Sequence, residues 1–264
     1  MKRNILLLVL LGLTCVFLYS QDFILLYKQN LELPISIPLE DVEYILHDND
    51  TVQSIVTKTG TIETPVSEID SLAFVFIVSC PDDNHPHLID LGLPSGTKWA
   101  CSNIGADGPD GFGNYYSWGE TEVKSHYAWD NYAYLDENDA YLHFGEDIAG
   151  TDFDVAHVLW GGAWRMPTVD QIKELIVNCK RRQSSQNGVD GLLVTGPNGE
   201  RIFLPAAGYS RDDNIGGKSS CGNYWSSTVH ILNNDAFGLY FDSRGWYWGY
   251  SNRFDGRSVR PICP

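Results

Sequence analysis

The chain has 264 residues, with 34 Asp and Glu against 18 Lys and Arg for a formal net charge of −16, and it is 43% apolar and 12% aromatic. This is the composition of an acidic folded protein of one or two domains. The charge excludes nucleic acid as the main partner, because polyphosphate binding needs a cationic patch and the best basic run is only Lys180, Arg181, Arg182.

At the amino terminus, Lys2 and Arg3 precede an apolar run over residues 5–19, closed by Ser20 and followed by Gln21 and Asp22. The pattern reads as a secretory signal peptide over residues 1–20, cleaved after Ser20. The run of 15 residues is shorter than the ~20 a spanning helix needs. Lipidation at Cys15 is the alternative, although Gly12-Leu13-Thr14 matches a lipobox poorly. No later stretch is long and apolar enough to span as a helix, so the mature chain is expected to have no transmembrane segment and to be exported: secreted, periplasmic or on the outer-membrane surface. Cys80, Cys101, Cys179, Cys221 and Cys263 follow the signal. In an oxidising compartment they predict two bridges and one remaining thiol.

Residues 22–76 read as a small β module. Ile35-Ser36-Ile37-Pro38-Leu39 through Ile45 aligns with Ile62-Glu63-Thr64-Pro65-Val66 through Leu72 at an offset of 27 residues, each copy a strand, a turn and a second strand. Lys58-Thr59-Gly60-Thr61 predicts a hairpin turn. Residues 77–86, with Pro81, Asp82, Asp83 and Pro86, read as a linker. The second domain spans residues 87–264. It reads as short strands and glycine-rich turns around one helix, which Thr168 and Gln171 open as a capping box. Ile172, Leu175, Ile176 and Cys179 then form one apolar stripe, and Lys180, Arg181 and Arg182 sit where the helix dipole favours cations. A shorter helix is expected over residues 154–159. Strands are expected near 191–195, 200–205, 223–228, 236–242, 245–250 and 257–262.

Catalytic motifs lack their contexts. Ser95-Gly96-Thr97-Lys98 and Lys58-Thr59-Gly60 spell two β-lactamase motifs, but in the wrong chain order and with Ser95 in a turn. Cys221 lacks the distant downstream His of a thiol protease, since only His230 follows it. His85-Pro86-His87 beside Asp82 and Asp83 offers metal ligands without a fixed third and fourth. His157, among apolar neighbours, reads as a structural histidine. Asp107, Asp110, Asp136, Glu137, Asn138 and Asp139 carry oxygens suited to Ca²⁺ but in no EF-hand register. No cofactor is expected.

The run Gly245-Trp246-Tyr247-Trp248-Gly249-Tyr250-Ser251-Asn252-Arg253-Phe254 is the most informative stretch. As a strand it directs Trp246, Trp248 and Tyr250 one way and Tyr247, Gly249 and Ser251 the other. One face can be core. The aromatics left over, beside Asn, Ser and Asp, have the composition of a recognition surface. Trp246, Tyr247, Trp248 and Tyr250 are the predicted anchors, with Asn252, Arg253 and Asp242 supplying polar contacts.

Several segments carry a family resemblance: residues 91–106, Tyr115-Tyr116-Ser117-Trp118-Gly119-Glu120-Thr121, residues 156–168 ending in Trp164-Arg165-Met166-Pro167-Thr168, Phe203-Leu204-Pro205-Ala206-Ala207-Gly208-Tyr209, and Tyr224-Trp225-Ser226-Ser227 with Ser258-Val259-Arg260-Pro261. Together they resemble the Fibrobacter succinogenes major paralogous domain family, abundant in exported proteins of Bacteroidetes. Residues 164–168 and 259–261 are also similar to the Lcl C-terminal domain and, more remotely, to the formylglycine-generating enzyme superfamily. The resemblance implies an α+β, C-type-lectin-like domain preceded by a small all-β hairpin module. It does not carry over the superfamily's chemistry, which uses cysteines just before the final strand; residues 245–256 contain none. Paired terminal strands in that fold imply a Cys80–Cys263 bridge, with Cys101–Cys179 as the second. Asp50-Thr51-Val52 and Asp70-Ser71-Leu72 resemble sites glycosylated on exported Bacteroidetes proteins, with Thr51 the better acceptor. The resulting expectation is a non-catalytic, exported, cell-surface protein that binds a glycan or protein ligand. A structural component of a surface appendage is the alternative, and an enzyme the third reading.

Overall fold

A computed structural model describes residues 23–29, 31, 33–38, 41–48, 52–75, 87–138, 140–232 and 234–264. The expected signal peptide with Cys15, the acceptor Thr51, Cys80 and the linker histidine His85 lie outside the described residues. The described residues form a mixed α+β fold of antiparallel sheets with two short α-helices, and they divide into two compact units, one within Leu10–Pro81 and the other within Asp82–Pro264.

The smaller unit contains β1 (Phe23–Lys28), β2 (Ile35–Pro38), β3 (Val42–Asp48), β4 (Val52–Thr57), β5 (Gly60–Pro65) and β6 (Ile69–Val75). They form two three-stranded sheets, ordered β2-β1-β6 and β3-β4-β5. Lys58-Thr59 is the two-residue turn between β4 and β5, with Thr57 paired to Gly60. The internal repeat takes on a structural meaning here. Each copy gives one strand to each sheet, β2 and β3 from the first, β5 and β6 from the second. Ile24 and Ile37 from one sheet meet Ile55 from the other in a small core, with Ile35, Val42, Ile45, Ile62 and Leu72 around it.

The larger unit contains β7 (Leu88–Asp90), β8 (Lys98–Ala100), α1 (Val155–Trp160), α2 (Val169–Asn178), β9 (Lys180–Gln186), β10 (Val189–Thr195), β11 (Arg201–Pro205), β12 (Tyr209–Arg211), β13 (Asn214–Gly216), β14 (Gly222–Val229), β15 (Asp235–Asp242), β16 (Gly245–Asn252) and β17 (Ile262–Cys263). Its sheets are ordered β17-β8-β7, β11-β10-β9, β12-β13 and β14-β15-β16. Helix α2 starts as its sequence dictates: Thr168 Oγ1 accepts from the Gln171 amide at 3.2 Å, and Gln171 Oε1 accepts from the Thr168 amide at 2.9 Å. Ile172 and Leu175 are buried. Lys180, Arg181 and Arg182 do not end this helix. Cys179 turns extended as its C-cap and the three cations open β9, which pairs with β10 along its whole length, so tertiary pairing overrides the local dipole preference. The shorter helix α1 is capped by the fully buried Asp154, whose carboxylate accepts from the Ala156, His157, Met166 and Gly150 amides.

Two cores lie on the two faces of the β14-β15-β16 sheet. One joins Tyr224, Leu239 and Phe241 to Ile172 and Leu175 of α2 and to Leu192 and Leu204. The other joins Trp225 and Ala236 to Trp118, Val155 and Met166. The expected strand over 257–262 shrinks to β17 and isolated bridges at Arg257 and Ser258, because this segment spends its polar groups across loops. Arg260 donates to Asn103 Oδ1 and to the Ala100, Cys101 and Phe203 carbonyls.

The expected disulfides are overturned for the described cysteines: Cys101, Cys179, Cys221 and Cys263 are all thiols. Cys101 directs its buried sulfur towards His87 and Ser102, accepting from the His87 amide at 3.3 Å. Cys179 instead packs against the α2 core, so Cys101 and Cys179 face different surroundings. Cys263 is held in β17 opposite Lys98. Burial pushes the Cys179 thiol up to about 11, with Glu174 adding to the shift. Among the described residues no helix is long and apolar enough to cross a membrane.

Candidate functional site

The candidate site is built on β16, one of the two edge strands of its sheet. β16 pairs with β15 in continuous register from Asp242↔Gly245 to Asp235↔Asn252, so its side chains alternate strictly between the two cores. Trp246, Trp248 and Tyr250 share a face with Phe241, Leu239 and Phe237, their partners on β15. Cover on that face comes from α2, which packs across all three strands. A ten-residue helix is only about 15 Å long, and its cover runs out along β16. Trp246 therefore packs into the core while Trp248 and Tyr250 remain 46% and 55% exposed. Lys173, from α2, places its ammonium 4.8 Å from the Trp248 ring centre, and His230 stacks on Tyr250 at 4.1 Å.

On the opposite face, Tyr247 is 50% exposed and stacks on Tyr240 at 5.6 Å with an interplanar angle of 12°. Gly249 leaves room for this, since a Cβ there would press against the Tyr240 ring. Beneath Tyr240 lies the Arg257 guanidinium, 4.9 Å from that ring and 4.8 Å from Trp225, bonded to Asn223 and Asp255. Tyr247 thus rests, through Tyr240, on a buried and hydrogen-bonded arginine.

At the carboxy-terminal end of β16 the surface opens into a cleft of about 460 Å³ lined by Trp129, Ala140, Tyr141, Leu232, Asn234, Asn252 and Phe254. Leu232 belongs to the loop after His230, where Ile231 is 91% and Leu232 69% exposed. Trp129 meets Tyr141 edge-on at 4.8 Å and Phe254 at 6.2 Å. Asn234 and Asn252 add carboxamides at an otherwise apolar rim. Such a cleft can stack a flat apolar surface and hydrogen-bond hydroxyl or amide groups beside it.

Arg253 is not a surface contact. It is fully buried, with its guanidinium 4.6 Å from Trp118, 5.1 Å from Tyr141, 5.2 Å from Phe144 and 5.4 Å from Tyr132. It donates to the Tyr132 hydroxyl and to the Leu142 carbonyl, both at 2.9 Å. Burial holds this guanidinium below the usual arginine range and pushes the Tyr132 and Tyr141 phenols up. Arg253 therefore fixes the back wall of the cleft. Asp242 lies at the other end of the strand, where it accepts from the Arg244 side chain and amide, which keep its carboxyl below the ordinary value. Asp242 and Asn252 are separated by most of an eight-residue strand, about 23 Å, so they do not share one small-ligand site.

The structure thus brings Trp248, Tyr250 and Asn252 together, with Tyr247 behind them. Sequence reasoning missed Trp129, Tyr141, Leu232, Asn234 and the lining role of Phe254. Only the exposed Ile231-Leu232 pair, two aliphatics in a turn between strands, carried a local signal. Two of the acidic residues considered for Ca²⁺ serve other ends: Asp136 accepts from the Asn138 and Ala140 amides, and Asp110 from Asn187. Among the described residues no group of three His, Cys, Asp or Glu is placed to hold a metal ion. Comparison with models of protein families, with curated proteins and with solved structures finds no match to this chain.

Proposed function

We propose that this is an exported, non-catalytic binding protein whose larger unit is a C-type-lectin-like domain of the major paralogous type, presenting its ligand surface on β16 and the adjoining cleft. The observation that carries the reading is the aromatic patch itself. Trp248 and Tyr250, each about half exposed on one face of β16, stand beside a cleft at the end of the same strand that offers Trp129, Asn234 and Asn252, and Tyr247 is half exposed on the other face. Large contiguous exposed aromatic surface is uncommon on a protein without a partner. The pairing of β17 with β8, near the two ends of the larger unit, supports the lectin-like topology. A glycan would stack a ring face on Trp248 or Trp129 and meet the two carboxamides; a protein would use the same rings as anchors.

The test is a glycan array probed with the protein and with its Trp129→Ala and Trp248→Ala variants. Binding to a defined glycan set that both variants lose, while their melting transitions persist, supports the reading. Binding that survives both substitutions refutes the placement of the site.

A further inference from the structure

Strand β16 has an open edge of an unusual kind. The two-residue turn Ser243-Arg244 closes the Asp242↔Gly245 pair, and the Arg253 amide donates to the Asn234 carbonyl at 3.2 Å. Both place the hydrogen-bonded pairs with β15 at the odd-numbered residues. Trp246, Trp248 and Tyr250 therefore direct their backbone N–H and C=O groups outward, where no described strand pairs with them, and the edge ends at Asn252, whose carbonyl accepts from the Asp255 amide at 3.1 Å.

Natural edges are blunted by charge, proline, bulges or shortness. The other edges among the described residues follow that rule. β3 carries Glu43, β5 Glu63 and Pro65, β9 three cations, and β11 Arg201 and Pro205, and β6 shifts register against β1. The β14 edge is bridged by Gly208 and Ser258, and β2, β7, β13 and β17 have four residues or fewer. β16 alone among the described long edges is eight residues without a charge, a proline or a register shift, and it lies open.

We propose that β16 pairs antiparallel with β16 of a second copy of this chain, joining two three-stranded sheets into one of six strands. The strand is self-complementary about Trp248. Outward-facing residues meet in that register, Trp248 opposite its own copy and Trp246 opposite Tyr250, while on the other face the Tyr247 ring falls opposite Gly249. A large residue thus meets an absent side chain, the arrangement that covers a glycine in a sheet. The residues from Gly245 to Asn252 are uncharged, so the net charge of −16 opposes association only at longer range, where salt screens it over about 8 Å. Pairing consumes backbone groups and leaves the ring faces open, which makes the inference independent of the ligand reading. It would carry two clefts on one sheet.

Sedimentation velocity in reducing buffer from about 1 to 200 μM tests it. The expected result is a mass rising from one chain to two, at lower concentration in 0.5 M than in 0.05 M NaCl, and a Trp248→Lys variant that stays monomeric with its melting transition kept. Under oxidising conditions Trp248→Cys should give a 248-to-248 cross-link, because directly opposed Cβ atoms lie roughly 4.5–5.5 Å apart, whereas Val177→Cys should not. A wild-type monomer throughout, or a Trp248→Lys dimer, overturns the proposal. If Trp248→Lys does not fold, amide exchange of residues 245–252 in the wild type decides: slowing with concentration supports the pairing, and no change refutes it.

Discussion

Replacing Arg253 by alanine should cost far more than a surface arginine normally does. The side chain is fully buried, with four aromatic rings 4.6 to 5.4 Å from its guanidinium and hydrogen bonds to Tyr132 and Leu142. A desolvated cation on one ring contributes about 2 kcal/mol, and the alanine also strips the Tyr132 hydroxyl and the Leu142 carbonyl of a partner at roughly 1 kcal/mol or more each. Shared rings prevent simple addition, so the expected loss is ~3–5 kcal/mol, a large part of the ~5–15 kcal/mol of an ordinary domain. Arg253→Lys keeps the charge but not the planar contact and should recover less than half. Urea unfolding followed by tryptophan fluorescence reads both, with Trp118 as a local reporter. A midpoint for Arg253→Ala within ~1 kcal/mol of the wild type would refute the clamp and, with it, the rigid back wall of the cleft.

Asp154→Ala should cost ~3 kcal/mol or more by denaturant unfolding, because it removes a cap and leaves buried amides of α1, Gly150 and Met166 without their acceptor. Leu175→Ala, fully buried under the sheet, should lose ~2–5 kcal/mol and Thr168→Ala ~1 kcal/mol in the same assay. With its thiol raised to about 11, Cys179 at pH 8 should alkylate about 100-fold more slowly than an ordinary cysteine, the rate rising tenfold per pH unit until it approaches pH 11. A Cys179 that reacts like glutathione at pH 8 would refute its burial.

Local signals carried the fold further than the site. The Thr168 and Gln171 box and the alternation along β16 are backbone-scale patterns, readable because their partners lie within a few residues. The same alternation could not say where α2 stops covering the face, so Trp246 and Trp248, identical in parity, have different environments. Arg253 was misplaced for a related reason: a charged residue after a polar strand end reads as surface, and its aromatic cage comes from residues 118–144, far back in the chain. The cleft inherits that difficulty, since Trp129 and Tyr141 reach β16 only through tertiary folding. Cysteine spacing likewise carries no information on which sulfurs face one another, and Cys101 faces His87. In the small unit the repeat was visible, whereas its exchange of strands between two sheets follows from pairing that no single copy encodes.

The placement of the ligand surface is tested most directly by hydroxyl-radical footprinting at submicromolar concentration, with and without a glycan taken from the array. Tyr247, Trp248, Tyr250 and Trp129 should oxidise readily in the unliganded protein, Trp99, Trp118 and Trp225 should stay protected, and ligand should protect Trp129, Trp248 and Tyr250 selectively. Low reactivity of those rings without ligand, or ligand protection confined to residues away from β16 and its cleft, would contradict the proposed surface.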